Sequence, residues 1–274
     1  MGKFITHIRP PSGFSLGLKE LWQYRELFYF FTWRDIKVKY KQTYLGIAWA
    51  LLQPLGMMLI FTFLFSKTWK IDTTPVQYPI FVLAGLILWN LFSNAVSHAG
   101  ESMIQNANII KKIYFPRLII PGSSLLVAFF DFLMGLFLFL IFCIIYQQPV
   151  HWSAVYYFPA AILVIVIGAF GAGTFLAALN VKYRDFRYTI PFMLQLLFFA
   201  SQVIYPLQTI QQSWLKYILA INPVNTAIGL FRTPLSGSSM DPLVLAIGMT
   251  STLIILLTGL YYFRKTEAFF ADLA

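Results

Sequence analysis

The chain has 274 residues, of which 59% are hydrophobic and 11% charged, with 20 Lys and Arg against 10 Asp and Glu. Soluble domains carry about 25% charged residues, so the composition excludes an ordinary water-soluble enzyme, a disordered chain and a disulfide scaffold. It points to a polytopic membrane protein whose basic surplus marks cytoplasmic loops rather than a nucleic-acid surface.

Residues 1–41 are charged and show no short apolar core with a cleavage site, so no signal peptide is expected. After Pro10-Pro11, Ser15–Phe31 mixes Leu16, Leu18, Leu21, Trp22, Leu27 and Phe28 with Lys19, Glu20, Arg25 and Glu26. That pattern predicts an amphipathic helix lying in the membrane interface. A basic run follows, carrying Arg34, Lys37, Lys39 and Lys41. It suits an anionic-lipid anchor, or a docking surface for a cytoplasmic partner.

Long uncharged stretches then predict six spans, at about 44–66, 79–100, 118–146, 157–180, 188–206 and 243–263. Gln147–Trp152 reads as the turn between the third and fourth. Residues 209–235, interrupted by Asn222-Pro223, are too short and broken to cross and predict a re-entrant or interfacial segment. The expected fold is an all-α polytopic membrane protein: an N-terminal interface region (1–41), a six-helix transmembrane domain (42–263) with an extracytoplasmic re-entrant segment, and a tail (264–274). This topology puts 16 of the 20 basic residues on one side, which predicts both termini in the cytoplasm. The loop Glu101–Pro116 then faces the cytoplasm. Its amides, lysines and apolar residues, among them Gln105, Asn106, Asn108, Lys111, Lys112 and Tyr114, predict a short helix parallel to the membrane that docks a cytoplasmic protein.

Catalytic chemistry is missing. There is no GxxxxGK[ST], no HExxH and no Cys/His cluster, and His7, His98 and His151 fall on different segments. Cys143 reads as a packing residue in an apolar run. Asp131, about the middle of the third span, is the one acidic group at depth and costs at least ~2.5–3.5 kcal/mol unless partnered. It is either a packing carboxyl or part of an ion relay. Small residues from Gly168 to Gly173 allow close helix approach. In the fifth span Gln195, Phe198, Phe199, Gln202 and Tyr205 recur at helical steps, which predicts one amide-and-ring stripe. The first span adds Trp49, Gln53 and Phe61, and the second Trp89 and Phe92. Rings stack on sugar C–H faces and amides bond hydroxyls, so the set suits a glycan path. Plain packing and interfacial aromatic belts are the bland alternative.

Arg34–Gly46 with Trp49 and Leu52-Gln53-Pro54-Leu55, Val181–Tyr188 with Pro191-Phe192, Val203-Ile204-Tyr205-Pro206, Asn222-Pro223 and Phe231-Arg232 together resemble the ABC-2 type transporter permeases that export polysaccharides. The O-antigen export branch is the most similar, and capsule and teichoic acid exporters are neighbours. Ser201-Gln202-Val203 departs from the Ser-Pro-Val common in that family, which predicts a straighter fifth span. The resemblance implies a non-enzymatic half-transporter of the inner membrane. Two copies would line a channel, driven by two cytoplasmic ATPase subunits that hold ATP and Mg, with no cofactor in this chain. It implies an undecaprenyl-linked polysaccharide substrate and residues 101–116 as the coupling helix; by charge and place, Arg34, Lys37, Lys39 and Lys41 are then expected to attract the anionic lipid pyrophosphate. The competing readings are an ion-coupled flippase, which would need Asp131, and a membrane glycosyltransferase, which would need acidic residues at a membrane face.

Overall fold

A computed structural model describes residues 18–41, 46, 48–68, 73–183 and 185–267. The expected helix start at Ser15, the stretch Gln42–Leu45, Lys70, Arg184 and the tail beyond Glu267 lie outside them. Among the described residues the regular structure is entirely helical. Five helical segments are long and apolar enough to cross a membrane: Ala48–Phe65, Tyr78–Gln105, Ile119–Ile145, Ala154–Lys182 and Pro242–Glu267.

The N-terminal region breaks at Tyr24 into α1 (Leu18–Gln23) and α2 (Arg25–Lys41), so the basic run is itself helical. The Phe28 ring packs on Gly122 and Lys39 reaches Asp131. Helix α2 therefore runs beside the first half of α6 (Ile119–Ile145) in the same direction. Helix α3 (Ala48–Phe61) contains Pro54, which removes one backbone bond, and widens into a π-helical turn over Thr62–Thr68. Most of its side chains face outward; only Pro54 and Met58 are buried.

Helix α4 (Tyr78–Gln105) occupies the centre. Its run from Ile80 to Trp89 is buried without a break, as expected of a helix apolar on every side. Helices α6, α7 (Ala154–Lys182), α8 (Phe186–Phe199) and α10 (Pro223–Ser236) pack on it. Helix α11 (Pro242–Glu267) closes on α7 through glycine. A Cβ at Gly259 would sit 2.1 Å from the Gly171 carbonyl oxygen, and one at Gly171 would meet the Leu256 backbone at 2.6 Å. Gly259→Ala is therefore expected to cost about 1–3 kcal/mol or more by overpacking. Gly56→Ala, where nothing lies within 4 Å, should be neutral. Thermal melts of the detergent-solubilised variants check this.

Two sequence expectations change shape. Helix α4 runs through Gln105 and is followed by one turn, α5 (Ala107–Ile110), so no single helix fills 101–116. Helix α8 stops at Phe199; its 14 residues span about 21 Å, short of a ~30 Å hydrocarbon core. The fifth span is thus not straightened by the missing proline. Side-chain amides take over the backbone groups at its end: Asn225 donates to the Ala200 carbonyl (3.2 Å) and accepts from the Gln202 N–H (2.6 Å), while Asn222 donates to the Ser201 hydroxyl (2.8 Å). The region before the last span holds α9 (Ser213–Ala220) and α10, split at Asn222-Pro223. Asn222 caps α10 by accepting from the Val224 N–H, Pro223 opens it, and Gly237, at φ +67°, ends it. Helix α10 is buried along almost its whole length.

Candidate functional site

The structure brings five of the ten expected channel residues into one wall of rings. Phe61 of α3 stacks on Phe198 of α8 at 6.0 Å, and Trp89 of α4 meets Phe198 edge-on at 5.3 Å. Phe92 continues the chain at 6.2 Å from Trp89, and Phe199 lies 5.5 Å from Phe198. Within this wall Trp89 and Phe92 are buried, whereas Phe199 is 62% exposed. Gln195 is exposed on α8. Gln202 does not share the stripe. It lies in the turn after α8, is buried, and its side chain donates to the Asn225 carbonyl. Tyr205 is also off the helix, and its hydroxyl donates to the Phe199 carbonyl at 2.9 Å. The stripe assumed a helix that ends one turn too early to carry it.

Trp49 and Gln53 lie elsewhere. With Asn90 and Asn94 of α4 they line an open pocket of about 80 Å³, beside Lys39, Tyr40 and Asp131. The partner of Asp131 comes from the N-terminal helix: the Lys39 ammonium is 2.5 Å from one carboxylate oxygen, and the Tyr40 hydroxyl donates to the other. Burial, then the hydrogen bond and charge of Asp131, push the Tyr40 phenol well above its ordinary pKa and keep it a donor. Periodicity could not reveal this pairing, since the residues are 92 apart in sequence. The available clue was one acid within the spans and a basic helix close before them.

The four basic residues assigned to a pyrophosphate separate. Lys39 is engaged by Asp131. Arg34 pairs with Asp35, donates to the Asn106 side chain at 2.9 Å, and covers the Phe31 ring. Lys37 lies over Trp33 and is exposed, as is Lys41. The expected docking residues also divide. Asn106 is buried and donates to the Ser102 carbonyl, and Gln105 donates to Glu101. Asn108, Lys111, Lys112 and Tyr114 are exposed, the last three around a shallow cavity of about 190 Å³. Phe31 against Phe115 (5.8 Å) joins this turn to α2, in a cluster that also takes in the ends of α7 and α11.

One residue was missed. Arg232 of α10 is buried, with no carboxylate partner among the described residues. Its guanidinium donates to the carbonyls of Phe81 (2.6 Å), Gln202 (2.6 Å) and Val203 (2.9 Å) and lies on the Phe81 ring. Gly85 makes room for it, since a Cβ there would be 2.7 Å from Nη2. Five donors in one plane suit three carbonyls from two segments, which an ammonium does not match. The signal was a lone arginine after an apolar run. Among the described residues no group of His, Cys, Asp or Glu has metal-binding spacing.

Residues 26–235 match the model of the ABC-2 type transporter family. The chain is 32% identical over 208 residues to the O-antigen export system permease protein RfbA of Myxococcus xanthus, covering 76% of this chain and 79% of that protein. It is 27% identical to the protein of the same name from Klebsiella pneumoniae, over 88% of this chain and 92% of that one. It is 23% identical to the polysialic acid transport protein KpsM of Escherichia coli, over 85% and 91%. A family match over three quarters of the chain, on a bundle with five membrane-length helices, makes this multi-pass membrane protein a member of the ABC-2 type transporter family.

Proposed function

We propose that the chain is the permease subunit of an ATP-driven exporter of lipid-linked polysaccharide, an O-antigen, across the inner membrane. The observation that carries this reading is the likeness, over 79–92% of their lengths, to permeases named for O-antigen export. The ring wall of α3, α4 and α8 supports it, because its exposed ring, Phe199, offers a stacking face to a sugar chain moving past. In this reading two copies face each other across α3 and α8, the least covered part of the bundle. Helix α8 and the turns after it complete a sixth crossing, while α9 and α10 form an outer re-entrant pair. Both termini lie in the cytoplasm, where the α4–α5 turn offers Asn108, Lys111, Lys112 and Tyr114 to a separate ATPase. ATP and Mg belong to that partner. The undecaprenyl pyrophosphate is met by Lys37 and Lys41, the two exposed lysines of α2.

The test is to purify the chain from its own cells, identify an ATPase subunit that accompanies it, and follow glycan export from proteoliposomes. Export is expected only with that subunit and ATP, and transport by the permease alone rejects the reading. Phe199→Ala is expected to lower export several-fold, about the loss of one stacking contact worth ~1 kcal/mol, with ATPase association intact. A capsule-type substrate is the second reading, favoured by the polysialic acid transport relatives. Complementation of O-antigen and capsule export mutants separates the two.

A further inference from the structure

The pocket between α3, α4 and α6 has a chemistry that the ring wall lacks. Among the described residues, the side-chain amides of Gln53, Asn90 and Asn94 make no hydrogen bond; Gln53 is exposed, and Asn90 and Asn94 are half-buried. These three amides converge on one opening instead of scattering, with their donors and acceptors free for a ligand. Asn90 and Asn94 are one turn apart on α4, and Trp49 and Gln53 one turn apart on α3. Trp49, 54% exposed, adds an indole face at the mouth.

The charge within the pocket is already balanced, because Lys39 neutralises Asp131 and Tyr40 satisfies its second oxygen. A phosphate would meet the Asp131 carboxylate, and an ammonium would meet Lys39. What fits is a neutral ligand rich in paired donors and acceptors with an apolar face. Each amide offers one acceptor and two donors, which match adjacent hydroxyls, and an indole covers ring C–H groups. The volume, about 80 Å³, suits the hydroxyl edge of a ring and not a whole oligosaccharide.

We propose that this pocket is a saccharide subsite that holds one neutral hexose of the passing glycan by its hydroxyl edge, with Gln53, Asn90 and Asn94 bonding the hydroxyls and Trp49 covering the ring. It rests on the export reading and adds a resting point for the chain, set off from the wall of Phe61 and Phe198. Its location ties it to α2, since Lys39 and Tyr40 are part of its lining.

The test uses the complete transporter in cells whose glycan is labelled by feeding tritiated glucose. A photoreactive benzoylphenylalanine replaces Asn94, or Phe199, or Phe137, an exposed residue of α6 that serves as the control. After irradiation, label is expected on the permease from positions 94 and 199, several-fold above position 137. Label at 199 but not at 94 overturns the subsite and leaves the export reading standing. Label at neither position, with export continuing, removes both. Capture at 94 of phospholipid alone, or of a second permease, also overturns the subsite by identifying what satisfies the amides. In unlabelled proteoliposomes, Asn94→Leu should raise the lipid-linked glycan needed for half-maximal export by about fivefold, the loss of roughly one net hydrogen bond. An unchanged requirement, in a variant that still co-purifies with its ATPase, overturns the proposal.

Discussion

Asp131→Leu is expected to leave the Lys39 ammonium without its counter-charge against α6, and to loosen α2 from the bundle. Breaking a buried pair costs about 3–5 kcal/mol. Here Asp131 is 12% exposed but Lys39 is 35% exposed and can turn toward water, which lowers the expected loss to about 2–3 kcal/mol. Lys39→Met combined with Asp131→Leu should recover most of it, because the remaining interface is then apolar. Tyr40→Phe removes one donor and should cost about 1 kcal/mol. Thermal unfolding of the four proteins in one detergent checks the set. Equal losses in the single and double variants would show that the pair does not hold α2 in place.

Arg232→Met is expected to have the larger effect. It strips the Gln202 and Val203 carbonyls of their donor and leaves them buried in the turn after α8, where no helix bond replaces it. The unfavourable burial of the guanidinium charge is relieved at the same time, so the net expectation is about 3–5 kcal/mol of lost stability. Arg232→Lys should not rescue, since one ammonium cannot reach Phe81, Gln202 and Val203 together. Gly85→Ala acts on the same contact from the other side. Its Cβ would meet Nη2 at 2.7 Å and the Val203 backbone at 3.0 Å. If Arg232→Met melts with the parent protein and Gly85→Ala does not, the glycine matters for helix packing alone.

Hydropathy made the long helices legible, because an uncharged run such as Pro242–Phe263 is long enough to cross a bilayer and too apolar to lie in water. It could not distinguish lipid-facing from central helices. Helix α4 is buried along an unbroken run and the segment Ala48–Phe65 is almost bare, yet both are apolar enough to cross a membrane. Coverage depends on neighbours, which composition does not record. The end of α8 was illegible for a related reason: it stops where Asn222 and Asn225 supply amides from 21 to 25 residues away, a tertiary effect with no local signal. Of the candidate site, the rings were found by residue type, and Phe61, Trp89, Phe92, Phe198 and Phe199 do come together. The helical period misplaced Gln202 by assuming a helix where the backbone turns. Lys39 and Asp131 were each noticed, and what joined them was the path of α2 along α6.

The contact of Gly259 with Gly171 also bears on biogenesis. Ribosomes deliver α7 long before α11, so the small-residue groove on α7 stays open to lipid until α11 leaves the translocon. Insertion of α11 is then what seals that groove, and a nascent chain stalled before it would present the groove to whatever membrane chaperone or protease patrols unfinished bundles.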